Sequence, residues 1–98
     1  MKSGYLYLII RWKNKVFQEV TIPVVYAVRV IDDRTIAIPP YGIFSGDNIG
    51  EALGSFMKFL RKALKKSLNG VSYKSLRISI GDFKVVEEEE DIGDGEDI

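Results

Sequence analysis

Residues 45–70 read SGDNIGEALGSFMKFLRKALKKSLNG, and this stretch decides the fold. Ile49, Leu53, Phe56, Met57, Leu60, Leu64 and Leu68 fall in one stripe when successive residues are turned by about 100°. Lys58, Arg61, Lys62, Lys65 and Lys66 occupy the opposite side. Ser45 or Asp47 is placed to cap the first turn by accepting hydrogen bonds from its amides. Asn69-Gly70 suits a left-handed C-cap, where glycine escapes the Cβ penalty. The spacing predicts one amphipathic helix from about residue 47 to 68.

Everything on either side of it reads as strand. Tyr5-Leu6-Tyr7-Leu8-Ile9-Ile10-Arg11-Trp12 is apolar on both faces until its end, as a central strand would be. Lys13-Asn14 suits a tight turn into Val16–Thr21, and Pro23, lacking an amide donor, should end that strand or mark an edge. Val24 to Ile31 is a further β-branched run, turned by Asp32-Asp33-Arg34 into Thr35–Ile38. Pro39-Pro40 opens a loop to Gly46. After the helix, Ser75-Leu76-Arg77-Ile78-Ser79-Ile80 alternates strictly, and Gly81-Asp82 reads as a turn into Phe83–Val86. The predicted fold is α+β, in the order ββββαββ. About six strands should form an antiparallel sheet or partly open barrel, with the helix on one face.

Composition removes several chemistries. The chain of 98 residues contains no cysteine and no histidine. Thiolate metal sites, the commonest zinc ligand and the Ser-His or Cys-His dyads are therefore absent. Asp32-Asp33 reads as turn chemistry, and Asp47 as a helix cap. The glycines from Gly42 to Gly50 are not followed by the Gly-Lys-Ser/Thr of a P-loop. Neither an enzyme nor a cofactor is expected. No apolar run is long enough to span a membrane, and the start is too short for a signal peptide, so a cytoplasmic protein without membrane contact is expected. Few Asn and Gln beside many Ile, Val, Lys and Glu suit a thermophilic source.

Fourteen Lys and Arg balance fourteen Asp and Glu, but the balance conceals a division. Residues 87–98 hold eight acids and no base, leaving residues 1–86 with all fourteen bases against six acids, a net of +8. The chain therefore divides into a basic domain, 1–86, and an acidic tail, 87–98, expected to be disordered because it has too little apolar surface to order itself. Such asymmetry points to a polyanionic partner.

Candidate contacts to that partner follow from residue type. Tyr5, Tyr7, Arg11, Phe17, Arg29 and Arg77 alternate with apolar neighbours. On a common sheet face they would interleave rings for base stacking with charges for phosphate. Lys13 and Lys15 flank the first turn, and Lys58, Arg61, Lys62, Lys65 and Lys66 line the helix. The expectation is a nucleic-acid-binding protein, single-stranded or weakly specific, whose tail competes for its own binding surface.

The tail resembles, over about twelve residues and by composition, the acidic, hydrophobic-tipped tails of single-stranded DNA-binding proteins, though it ends in Ile98 without their Pro-Phe. Gly42 to Leu53 is similar to the loop and helix start of HicB-type antitoxins, small hairpin-plus-helix domains that bind an RNase toxin, and the strand pair Tyr26–Ile38 precedes it in matching order. The alternative expectation is a protein-interaction or homo-oligomerisation domain without catalytic activity, of which an antitoxin-like fold is one example. Strand edges at Val16–Thr21 or Phe83–Val86 would allow a homodimer.

Overall fold

The computed structural model describes residues 2–16, 18–68 and 73–87. The predicted tail beyond Glu87, the Asn69-Gly70 cap and Phe17 lie outside the described residues. Strands β1 (Lys2–Lys13), β2 (Glu19–Asp32), β3 (Thr35–Ile38) and β4 (Gly42–Ser45) precede helix α1 (Ile49–Ser67), and β5 (Ser75–Glu87) follows it. The fold is α+β as expected, with five strands rather than six. They form one antiparallel sheet ordered β4-β3-β2-β1-β5, open at β4 and β5.

Three differences from the sequence reading have local causes. The predicted strands Val16–Thr21 and Val24–Ile31 are one strand from Glu19 onward, with Val16 left in the preceding turn, because β2 runs through Pro23, which pairs with Ile9 of β1. On its other side β2 is joined by β3 only from Arg29 to Asp32, so at Pro23 that edge has no ladder for a missing N–H to break. The segment after Pro39-Pro40 is a fourth strand, not a loop. A cis Pro39–Pro40 bond and Gly42 at φ 122° reverse the chain, and the Tyr41 amide donates to the Ile38 carbonyl at 2.8 Å. Gly81-Asp82 is not a turn. β5 continues through it as a bulge, with Ile80 opposite Leu8 and Asp82 opposite Tyr7.

That bulge preserves the apolar pattern. In a regular strand Phe83 and Val85 would lie on the face opposite Ile78 and Ile80. The extra residue returns Phe83 to register with Leu6 and Val85 to register with Gly4, so the apolar side chains of both halves face the helix.

Leu6, Leu8, Val28, Ile36 and Ile38 of the sheet meet Ala52, Leu53, Phe56 and Leu60 of α1 in one core. Phe56 is fully buried and is the hub of an aromatic cluster. Its ring centroid lies 5.1 Å from those of Tyr26 and Phe44, both edge-on, the arrangement ring quadrupoles favour. Ile49, Met57 and Leu64 pack beside this core, as the stripe predicts. The helix cap is neither Ser45 nor Asp47 but Asn48. Its Oδ1 accepts from the Glu51 amide at 2.9 Å, while Glu51 Oε1 accepts from the Asp47 amide at 2.9 Å. This near-reciprocal pair satisfies two amides at the helix start.

Candidate nucleic-acid interface

The helix covers one face of the sheet, and among the described residues no element covers the other. Leu6, Leu8 and Ile10 are buried beneath α1, so strict alternation sends Tyr5, Tyr7, Ile9, Arg11 and Lys13 to the open face. Register places Arg29 of β2 and Arg77, Asp82 and Lys84 of β5 on the same side. The common face expected for Tyr5, Tyr7, Arg11, Arg29 and Arg77 is thus present.

Its middle is aromatic and apolar. Tyr5 is 37% exposed and Val25 is 64% exposed. Tyr7 is half-buried because its ring lies on Gly81: a Cβ there would stand 2.7 Å from Tyr7 Cδ2. The Tyr5 hydroxyl donates to Asp82 Oδ2 at 2.8 Å. That bond, and then the negative charge of Asp82, raise the Tyr5 pKa above its ordinary 10.0.

The charges collect at one end. Arg11 and Arg77 are direct cross-strand partners, and neither forms an ion pair among the described residues. Like charges directly opposite each other destabilise a sheet. Lys13, Ser75 and Glu19 surround them in a shallow depression of about 410 Å³. A second depression of about 560 Å³ shares Arg11, Ser75 and Arg77 and continues around the β5 edge to Lys74 and Arg61. Arg61 is held there by donating from Nη1 to the Leu76 carbonyl at 2.8 Å.

Arg61 also joins this end to the helix. With Lys58, Lys62 and Lys65 it surrounds Phe59 in a depression of about 600 Å³ on the outer side of α1. One basic surface therefore runs from the helix, over the start of β5, to the open sheet. Among the described residues Glu19 is the only acid lining these three depressions.

Not every candidate belongs to it. Arg29 pairs with Ser3, eight residues along β1 from Arg11, or roughly 26 Å at strand spacing. Lys15 lies in the β1–β2 turn, and Lys66 is on the helix beside Phe59, Lys62 and Ala63 in a separate depression. Phe59 and Asp82 were not among the sequence candidates. Phe59 falls outside the apolar stripe, which is itself the signal of an exposed ring. Asp82 was concealed by its reading as a turn residue.

The class that fold and surface define is an open-faced, two-layer α+β protein with a basic end. Comparison of the chain with protein-family models, curated proteins and solved structures returned no match. Among the described residues no cluster of Asp or Glu could hold a metal ion, and no helix is long and apolar enough to cross a membrane.

Proposed function

We propose that the chain is a nucleic-acid-binding protein for single strands, of low sequence specificity, and that its acidic C-terminal segment competes for the same surface. The observation that carries this reading is the pairing of Arg11 with Arg77. A sheet gains nothing from two guanidiniums opposite each other, whereas a phosphate between them neutralises both and accepts from their forked donors. Tyr5 and Tyr7 lie further along the same face and Phe59 beside the helix lysines, so bases on either side of a bound phosphate meet rings. The open, shallow form of the depressions at this basic end suits a backbone-tracking surface rather than a small-molecule site.

The test is fluorescence anisotropy with single-stranded DNA and RNA oligonucleotides at about 50 mM salt, where counterion release makes electrostatic binding strongest. Neutralising Glu88, Glu89, Glu90 and Asp91 to their amides should tighten binding. Arg11→Ala with Arg77→Ala should weaken it about equally for all sequences. No binding by the tail-neutralised chain would remove the reading.

The bare sheet face also supports a second reading, a protein-interaction or homo-oligomerisation domain. Val25, Ile31 and Ile43 are each more than half exposed on that side. Under this reading mass rises with concentration or with a protein partner, and oligonucleotide changes nothing.

A further inference from the structure

Strand β5 ends, and the acidic segment begins, at the opposite end of the sheet from the Arg11–Arg77 pair. Glu87 ends β5 in register with Lys2, whereas Arg77 lies ten residues back in register with Arg11. Because Gly81 is the bulge residue, those ten residues lie alongside only nine of β1, Lys2 to Arg11, and span roughly 30 Å. Glu88, Glu89, Glu90 and Asp91 follow immediately, and four fully extended residues reach about 14 Å at most. These four acids therefore stop about 16 Å short of Arg77, about twice the Debye length of about 8 Å at physiological salt. Of the later acids, Asp94, Glu96 and Asp97 approach the required reach, and only with the chain drawn nearly straight.

We infer that the acidic segment 88–98 of one molecule docks on the Arg11–Arg77 end of a second copy. Two copies lying antiparallel along their β5 edges bring each Glu87 beside the partner's strand start, so both acidic segments meet basic ends at once and the contact closes with two-fold symmetry. Charge complementarity selects the occupant: seven acids without a base in residues 88–98 match a surface whose described lining holds a single acid, Glu19. Among the described residues no strand pairs with the outer edge of β5, and Ile80 at its middle is 46% exposed. The inference rests on the same basic end as the proposed function, but not on nucleic acid being its ligand. It makes the competition for that end a contact between molecules.

Sedimentation velocity on the full chain tests it. At about 50 mM salt the protein should pass from monomer to dimer as concentration rises, and return to monomer at about 0.5 M salt, where screening is within about 4 Å. Two full-length variants separate contact between copies from contact within one. The first carries Arg11→Glu and Arg77→Glu; the second carries Glu88→Gln, Glu89→Gln, Glu90→Gln and Asp91→Asn. Each alone should stay monomeric, and their mixture should form a heterodimer, because the first supplies an acidic segment and the second an intact basic end. A wild-type chain that remains monomeric throughout, or a mixture that does not associate, overturns the inference. Oligonucleotide binding by a strictly monomeric chain would overturn it while leaving the proposed function standing. A dimer indifferent to oligonucleotide would do the reverse.

Discussion

Tyr5 and Asp82 are joined across β1 and β5 by a 2.8 Å hydrogen bond from the phenol to the carboxylate, and the bond exists because of the bulge at Gly81. Asp82 reaches the open face only because the extra residue shifts β5 by one position. The bond and the negative charge both oppose loss of the phenolic proton, so the Tyr5 pKa is raised. Asp82→Ala should lower it toward the ordinary 10.0. Ring-carbon chemical shifts followed through a pH titration read this directly, and an unchanged Tyr5 curve would contradict the assignment. A group whose pKa is raised on folding stabilises the fold below its unfolded pKa. The Tyr5 contribution is therefore fully present at neutral pH and lost as pH rises through the raised value.

Asp32 behaves in the opposite sense. Its Oδ1 accepts from the Arg34 amide at 2.8 Å in the β2–β3 turn. That bond, followed by one with the Thr35 side chain, holds its pKa below the ordinary 3.8. A depressed carboxylate stabilises the folded state above its unfolded pKa, and this is lost as pH falls through the lowered one. Asp32→Ala should flatten the acid limb of a stability-versus-pH curve below about pH 4. Denaturant midpoints measured at several acid pH values would show it. Parallel curves for the two proteins would mean that the turn does not depend on the carboxylate.

The core predictions depend on the helix. Leu60 is 4% exposed and Phe56 fully buried. Leu60→Ala should cost about 2–5 kcal/mol and Phe56→Ala about 3–5 kcal/mol, since each leaves a cavity between α1 and the sheet. Urea unfolding measures both. A change within about 0.5 kcal/mol at Leu60 would place that residue among ordinary surface positions.

This helix was legible because its stripe is long and its charges are segregated: Leu53, Phe56 and Leu60 can share a face at only one period. The strands were legible as elements but not as a count. Gly81-Asp82 suits a hairpin turn and a bulge equally well, and what separates them is that Phe83 finds Leu6 of β1 beside it, a contact 77 residues back along the chain. Pro23 is similar, since whether it ends a strand depends on how far β3 extends along β2. The shared face of Tyr5, Tyr7 and Arg11 follows from alternation within one strand. Arg11 opposite Arg77 does not, because their register is set by the β1–β5 pairing as a whole.

Gly4 is a sharper test of that pairing. A Cβ on Gly4 would run into the backbone carbonyl of Lys84, which cannot swing aside as a flexible side chain does. Gly4→Ala should therefore destabilise by about 1–3 kcal/mol, the usual cost of overpacking, and loosen β5 first. Hydrogen exchange should show faster amides in Val85 and Val86 than in Val28. Protection unchanged along β5 would mean that β1 and β5 are less closely apposed at Gly4 than this contact requires.

Arg11 and Arg77 give the prediction that separates a binding surface from a merely charged one. If their juxtaposition only solubilised the sheet, replacing either would leave both stability and anion binding nearly unchanged. Facing like charges cost a strand pair a few tenths of a kcal/mol to about 1 kcal/mol, so Arg77→Ser should raise stability by up to about that amount. Under the proposed function the same substitution removes one phosphate contact. It should weaken single-stranded oligonucleotide binding and reduce the slope of log affinity against log salt by about 0.7. Stability and affinity should move in opposite directions, which a structural role for Arg77 would not produce. Thermal unfolding without ligand, set beside anisotropy titrations at three salt concentrations, decides the matter. A loss of stability on Arg77→Ser would mean that the guanidinium supports the sheet, and the phosphate between Arg11 and Arg77 would then have no physical basis.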